Sequence, residues 1–139
     1  MQVAPYLFFN DYTCRAAMTF YAEVFGGTLE IMDFASMPEE DRAQMPGVPD
    51  DAVMHAALSL GGQQILASDE TGEREPAMAG CRINVTLPDE ATTRAAFEAL
   101  ADGGEVQMPL MAMFWTPAFG TLTDKFGTRW MLMSDGPDM

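Results

Sequence analysis

The chain repeats itself at an interval of 77 residues, and this repeat limits the possible folds more than any other feature of the sequence. Phe20 and Phe97 occupy equivalent positions, and so do the glycine pairs Gly26-Gly27 and Gly103-Gly104. Self-similarity at this interval indicates two copies of one supersecondary unit. A chain of 139 residues is long enough for one ordinary domain that contains both copies.

Each copy has the pattern of a strand, a helix and three further strands. In the first copy the apolar run VAPYLFFN precedes a segment with apolar residues at i, i+3, i+4 and i+7, which ends at Gly26-Gly27. The strands AVMHAALSL and QQILAS flank Gly61-Gly62, a pair typical of a tight hairpin turn. In the second copy we expect a strand broken by Pro109, then a hairpin that begins at Phe119. The pattern predicts an α+β fold of two tandem βαβββ modules.

We predict one domain over residues 1–139. It comprises module one at 1–69, a linker at 70–80 and module two at 81–135. The helix of each module covers one sheet face, so the other face stays open until something packs against it, and we expect the two open faces to enclose a cleft. The acidic, proline-containing segment 35–52 is predicted to be a loop and could act as a lid.

Side chains along a strand alternate between the two faces, and this alternation predicts which residues line the cleft. Trp115 joins them because it lies at the tip of a loop flanked by prolines. The predicted ligand-binding residues are Tyr6, Phe8, His55, Arg82, Asn84, Trp115, Arg129 and Met131.

Charge and cysteine content exclude several classes of function. Seven Lys and Arg against 21 Asp and Glu give a net charge of −14, so we expect neither nucleic acid nor a membrane as a partner. The absence of a long apolar run and of a basic N-terminal region favours a cytoplasmic protein. Cys14 and Cys81 are too few for a disulfide framework. We expect Cys14 on the outer side of its helix and Cys81 away from the cleft.

Several segments resemble one known family. The motifs YLFFND, AEVFGG, VMHAALSLGGQQILASD, MPL and FWTPAFGTLTDKFGTRWML are similar to those of the PhnB-like branch of the vicinal oxygen chelate superfamily. That superfamily includes glyoxalase, bleomycin resistance protein and extradiol dioxygenase, and the resemblance covers nearly the whole chain. It implies a glyoxalase-like fold. Members of this branch are sometimes labelled demethylubiquinone methyltransferases, but the chain lacks the glycine-rich turn and alternating βα units of a Rossmann-type methyltransferase.

The resemblance also implies four positions for the ligands of a divalent metal. They fall at Tyr6, His55, Arg82 and Met131, and only His55 is an ordinary ligand for such an ion. We therefore predict no metal site and no cofactor. His55 is the candidate catalytic residue, as an acid/base or as a polar anchor for a ligand, and the alternative is a purely structural histidine.

Three functions remain open at this point. The first is a small-molecule-binding protein with no complete metal site, in which Arg82 or Arg129 pairs with an anionic group of the ligand. The second is a metal-dependent lyase, isomerase or dioxygenase, with His55 and Tyr6 as ligands beside carboxylates of the acidic loop. The third is a drug-sequestering resistance protein. For all three we expect a homodimer, because small modules with uncovered sheet edges favour pairing.

Overall fold

The computed structural model describes residues 1–135 and contains two four-stranded mixed sheets. Short helical segments at Phe34–Ser36 and Glu39–Arg42 (α2) lie within the acidic segment that the sequence predicted to be a loop. The other elements follow in the order β1 (Tyr6–Phe9), α1 (Cys14–Phe25), β2 (Thr28–Asp33), β3 (Val53–Leu60), β4 (Gln63–Asp69), β5 (Ile83–Leu87), α3 (Glu90–Ala101), β6 (Glu105–Met113), β7 (Thr116–Thr123) and β8 (Arg129–Ser134).

The first sheet has the strand order β1-β4-β3-β2, and helix α1 packs on one of its faces. Strand β1 runs parallel to β4, whereas the other neighbours are antiparallel. The helix buries Ala17, Met18 and Tyr21, and the facing strands bury Leu7 and Leu58. Complete burial of one large apolar side chain contributes roughly 1.5–3 kcal/mol, so this helical face holds the module together.

The second sheet repeats this arrangement. Its strand order is β5-β8-β7-β6, with β5 parallel to β8. Helix α3 buries Phe97 and Leu100, and the strands beneath bury Leu122, Trp130 and Leu132. The predicted fold class, α+β with two tandem modules, is confirmed. The chain divides into two compact units between Pro76 and Ala77, within the segment 70–80.

Several strand boundaries differ from those predicted. Strand β1 begins at Tyr6 rather than at Val3, and β7 begins at Thr116 rather than at Phe119. Strand β6 continues through Pro109, which was expected to break it. Because β6 lies at the edge of its sheet, a residue without an N–H is tolerated there, and the pairing of β6 with β7 is irregular around it.

The buried carboxylate of Asp69 connects three elements of module one. Its Oδ1 accepts a hydrogen bond from the Cys14 N–H at 2.9 Å, and its Oδ2 accepts one from the Val53 N–H at 2.7 Å. The end of β4 is thereby tied to the first residues of α1 and β3. Cys14 is fully buried beside this carboxylate, so the expectation that it lies on the outer side of α1 was wrong.

The environment of Cys14 makes its thiol a poor nucleophile. Burial, reinforced by the nearby negative charge of Asp69, raises the pKa of Cys14 to about 12. Cys81, by contrast, is exposed. Among residues 1–135, no helix is both long enough and apolar enough to cross a membrane.

Candidate functional site

The face of the first sheet opposite α1, here called the first open face, carries exposed aromatic side chains. On β1, Leu7 and Phe9 are only 6% and 4% exposed, whereas Tyr6 and Phe8 are 39% and 51% exposed. On β3 the side chain of His55 is also exposed. The alternation predicted from the sequence is therefore correct for these strands.

Strand register places the exposed side chains of Phe8, His55 and Met32 in one row with Ser68, which is buried. Phe8 pairs with Ser68, and His55 pairs with Met32. The pairing of Ala56 with Ala67 places His55 next to Ser68 as well. Phe8, Ser68, His55 and Met32 thus follow one another along a single row. The sequence analysis did not include Ser68, although the alternation of β4 could have located it.

Tyr6, Phe8 and His55 form a group that we call the aromatic cluster. The ring centroids of Tyr6 and Phe8 lie 5.0 Å apart, and those of Tyr6 and His55 lie 5.8 Å apart. The hydroxyl of Tyr6 lies 3.3 Å from Nδ1 of His55, within hydrogen-bonding distance. The cluster therefore combines the apolar faces of aromatic rings with an imidazole whose orientation is assisted by a neighbouring hydroxyl.

Asp69 is a positioning residue that the sequence analysis placed only at the border of the linker. Its bond to the Val53 N–H fixes the start of β3, two residues before His55. The β2–β3 register shifts between Met32 and Asp33, immediately beside this point. The fixed end of β3 helps to define where the imidazole lies. An acidic residue at the end of an apolar strand was the only signal in the sequence.

The corresponding surface of the second sheet, here called the second open face, is rich in methionine. Register gives one row of Asn84, Met131, Thr121 and Met108, and a neighbouring row of Thr86, Met133, Phe119 and Met111. Phe119 faces away from α3, because the adjacent Gly120 is the residue that abuts Phe97 of that helix. Trp115 packs edge-on against Phe119, with a centroid distance of 5.6 Å.

Two arginines lie side by side at the start of this sheet. The pairing of Ile83 with Trp130 places Arg82 next to Arg129. Nη1 of Arg82 donates to the carbonyl oxygens of Leu122 at 3.0 Å and Trp130 at 3.2 Å. Partial burial, together with the positive charge of Arg129, lowers the pKa of Arg82.

The structure therefore groups the predicted ligand-binding residues by module. Tyr6, Phe8 and His55 lie together on the first open face. On the second open face, Arg82 and Arg129 lie at one end and Trp115 at the other. The remaining members, Asn84 and Met131, occupy the row between them. Gln107, which accepts a hydrogen bond from Arg82 at 3.3 Å, was missed because the bulged register of β6 hides its orientation in the sequence.

Comparisons with known proteins show the family of this chain. Residues 1–133 match the family model described as 3-demethylubiquinone-9 3-methyltransferase. The chain belongs to this PhnB-like family. It is 30% identical to Protein YjdN of Escherichia coli K12 over an alignment of 139 residues. The alignment covers 95% of this chain and 94% of YjdN.

Two solved structures of related proteins support the same assignment. Protein PA1353 from Pseudomonas aeruginosa has 38% identity and a TM-score of 0.87, with 99% of each chain covered. A Bacillus cereus protein described as a putative 3-demethylubiquinone-9 3-methyltransferase, PhnB protein, has 27% identity and a TM-score of 0.77, over 96% of this chain and 99% of that one.

A more distant solved structure has the same fold. A glyoxylase/bleomycin resistance protein/dioxygenase domain from Frankia sp. EAN1pec has a TM-score of 0.64 at 15% identity, with 97% of each chain covered. At this level of identity the likeness concerns the fold alone. The glyoxalase-like architecture expected from the sequence is thus confirmed.

The side chains of this chain do not fit the divalent metal that the resemblance to the vicinal oxygen chelate superfamily implies. In module one the implied positions hold Tyr6 and His55, and in module two they hold Arg82 and Met131. A guanidinium is a cation with no lone pair to donate, and a thioether is a poor ligand for a hard or borderline ion. Within residues 1–135, no three His, Cys, Asp or Glu side chains lie close enough together to hold a metal ion.

Proposed function

We propose that this PhnB-like protein binds a small organic molecule on its open sheet faces, without a complete metal site. The aromatic cluster is the observation that carries the proposal. Two aromatic side chains are exposed on the sheet face opposite the helix, although burial would be favourable for both. Their rings offer stacking surfaces, and His55 with its partner Tyr6 offers a polar group for orientation.

His55 is the residue to which we assign the polar contact with the ligand. It is exposed, and its neighbours are Ala57 on its own strand, Ser68 on β4 and Met32 on β2. An imidazole can donate with one ring nitrogen and accept with the other, which suits it to anchoring a ligand or to moving a proton. The bond to the Tyr6 hydroxyl engages Nδ1 and leaves Nε2 for the ligand.

Methyl transfer and metal-dependent chemistry are less well supported than binding. Strand β1 is followed by Asn10-Asp11-Tyr12-Thr13. This segment lacks the glycine-rich turn that follows the first strand of a Rossmann-type methyltransferase and binds its cofactor. The four positions at which the superfamily implies metal ligands include an arginine and a methionine. The paired arginines on the second open face also oppose the capture of a cationic drug.

The experiment that tests the proposal uses phenol as a probe, because it combines an aromatic ring with one hydroxyl. Its dissociation constant is measured by ligand-observed NMR titration for the parent protein, Phe8→Ala, His55→Ala and Tyr6→Phe. The lost aromatic contact or hydrogen bond should weaken binding about threefold to tenfold in each variant.

Tyr12→Phe provides a matched control for Tyr6→Phe. Tyr12 is 44% exposed, close to the 39% of Tyr6, but it lies in the turn between β1 and α1. Removal of its hydroxyl should leave the affinity for phenol unchanged. The proposal fails if phenol does not bind, or if the three variants of the aromatic cluster bind it as well as the parent protein does.

We further propose that the protein forms a homodimer in solution. Each sheet ends in edge strands, and β2 and β6 carry exposed apolar side chains, among them Met32, Val106 and Met111. Sedimentation equilibrium should give a mass of twice the chain, and a single-chain mass at micromolar concentration would contradict the expectation.

A further inference from the structure

We propose that the second open face binds an anionic amphiphile, with a carboxylate or phosphate head group at Arg82 and Arg129 and an apolar body along Met131 and Met133. This inference rests on the function proposed above and names the class of ligand. Three observations carry it: two unpaired arginines, a hydrogen-bonded scaffold that holds one of them, and an apolar track that starts beside them.

The first observation concerns charge. Within residues 1–135, neither Arg82 nor Arg129 forms an ion pair, whereas Arg15, Arg74 and Arg94 each have a carboxylate partner. The protein has 21 acidic residues and only seven basic ones. Two neighbouring cations repel each other, and pairing with acidic side chains would relieve that repulsion. An oxyanion from outside the described chain would do the same.

The second observation concerns preorganisation. The Nη1 group of Arg82 reaches across the sheet to the carbonyl oxygens of Leu122 and Trp130 and to the side chain of Gln107. The Nη1 group of Arg129 donates to the Cys81 carbonyl at 3.0 Å. In both arginines the Nε and Nη2 groups make no hydrogen bond within the described part of the chain. These N–H groups can bind an oxyanion, and a guanidinium already held in place loses less entropy on binding.

One carboxylate, that of Glu105, lies in the same row as the arginines. Glu105 pairs with Thr123, and Thr123 pairs with Arg129. Two strand spacings therefore separate Glu105 from Arg129, a backbone distance of about 10 Å. Glu105 is exposed and forms no salt bridge with either arginine. Glu105 therefore does not occupy the place beside the two arginines where an anion would bind. Its negative charge would repel an anionic ligand that extended toward β6.

The third observation is the apolar track. On β8 the side chains of Arg129, Met131 and Met133 point to the same face and are partly exposed, whereas the intervening Trp130 and Leu132 are fully buried. Met133 lies four residues from Arg129, which corresponds to about 13 Å along the strand. In the neighbouring strands the apolar row continues with Phe119, which is only 8% exposed, and with Met111, which is exposed. Flexible thioether side chains adapt to apolar ligands of varied shape.

The geometry thus defines a ligand with one anionic end and an apolar body about 10 Å long. Carboxylate and phosphate share the oxygen acceptors that paired guanidinium groups bind. A neutral molecule with the same apolar body would lack the contact with the arginines. A small inorganic anion would lack the contact with the methionines. Both contacts are needed for the affinity that we expect.

Isothermal titration with octanoate, octyl phosphate and 1-octanol tests the inference. Octanoate and octyl phosphate should bind at least tenfold more tightly than 1-octanol, and the tighter of the two identifies the natural head group. In a series of shorter carboxylates, affinity should fall by roughly fourfold for each CH₂ removed. Arg82→Gln and Arg129→Gln should each reduce octanoate affinity at least tenfold and leave the affinity for 1-octanol unchanged.

Arg94→Gln is the matched control, because it removes the same charge from an exposed site on α3 where Arg94 pairs with Glu90. It should leave octanoate binding unchanged. Equal binding of octanoate by all three arginine variants and the parent protein would overturn the inference. Phenol binding and its dependence on Tyr6, Phe8 and His55 are measured separately. If the arginine variants bind octanoate normally, the proposed function still stands. If phenol does not bind, the octanoate titration can still be interpreted.

Discussion

At the scale of single residues, His55 and Asp69 show two opposite uses of a polar side chain in module one. Asp69 is buried and accepts hydrogen bonds from two backbone N–H groups, so it organises the protein itself. His55 is exposed, and the one hydrogen bond of its side chain within residues 1–135 is the 3.3 Å contact with Tyr6. Removal of a buried acceptor leaves its donors unsatisfied, whereas removal of an exposed imidazole leaves the core intact.

His55→Ala should therefore preserve the fold. We expect the free energy of unfolding, measured by urea denaturation, to change by less than about 1 kcal/mol. Asp69→Ala should lower it by about 2 kcal/mol or more, because the N–H groups of Cys14 and Val53 lose their acceptors in a buried site. A large loss of stability in His55→Ala would show that the histidine is structural.

The two cysteines should differ sharply in reactivity. With a pKa of about 12 and a fully buried side chain, Cys14 has almost no thiolate at pH 8. Ellman's reagent should titrate one thiol in the native protein, that of Cys81, and two thiols after unfolding in urea. Cys81→Ser should leave the native protein without a rapidly reacting thiol. Rapid reaction of both cysteines in the native state would contradict this.

The same pKa predicts how stability depends on pH. The folded protein holds the Cys14 proton more tightly than the unfolded chain, in which the pKa is near its ordinary value of 9.0. The contribution of Cys14 is therefore fully present below pH 9.0 and is lost as the pH rises toward about 12. Urea midpoints between these limits should fall more steeply for the parent protein than for Cys14→Ala. If the urea midpoints of the two proteins fall equally with pH, the raised pKa of Cys14 is refuted.

Alternation along β1, β3, β5 and β8 was enough to predict which of their residues lie on the open faces, but the bulged β6 could not be treated in this way. It placed Tyr6, Phe8 and His55 correctly because each strand buries one face against a helix, and a shift by one residue would expose the core. It could not show that Arg82 reaches across the sheet to Leu122, since that contact depends on a flexible side chain and on long-range strand order. The burial of Asp69 was not predicted either, because it depends on contacts with Cys14 and Val53, which are distant in the sequence.

At the scale of elements, the approach of helix α3 to its sheet depends on Gly120. A Cβ at this position would lie 2.7 Å from Phe97 and 2.9 Å from the Met108 carbonyl oxygen. The backbone carbonyl cannot move away without disturbing the pairing of β6 with β7. The helix and the two strands are therefore packed as closely as a glycine allows.

Gly120→Ala should destabilise the protein by about 1–3 kcal/mol through overpacking, as measured by urea denaturation. Gly72→Ala is the matched control, because its Cβ would meet only the flexible side chain of Glu70 at 3.3 Å. The control should unfold at a urea concentration close to that of the parent protein. Equal midpoints for both variants would mean that α3 tolerates a wider separation from the sheet.

The order of the elements could be predicted from the sequence, but their ends could not. Repeated glycine pairs and apolar periodicity identified every long helix and strand. The start of β1 was placed three residues early, at Val3 rather than Tyr6, because the apolar run extends beyond the residues that pair with β4. Pairing partners decide where a strand ends, and they are distant in the sequence.

At the scale of the whole molecule, the net charge of −14 opposes folding through self-repulsion. The ion pairs of residues 1–135 are few and involve exposed side chains, so they offset little of it. Raising KCl from about 0.01 M to about 1 M shortens the screening length from about 30 Å to about 3 Å. The urea midpoint should rise over this range, and a falling midpoint would show that attractive charge pairs dominate.

The parallel pairing of the first and last strands in each module has a consequence for synthesis on the ribosome. Strand β1 has no partner until β4 emerges, because β4 is its neighbour in the sheet. Its backbone edge and its apolar side chains stay unpaired while the roughly fifty residues between β1 and β4 are translated, which takes seconds. Once β4 has formed, however, all four strands of the N-terminal sheet exist, and the nascent chain can complete this sheet before β5 has been made.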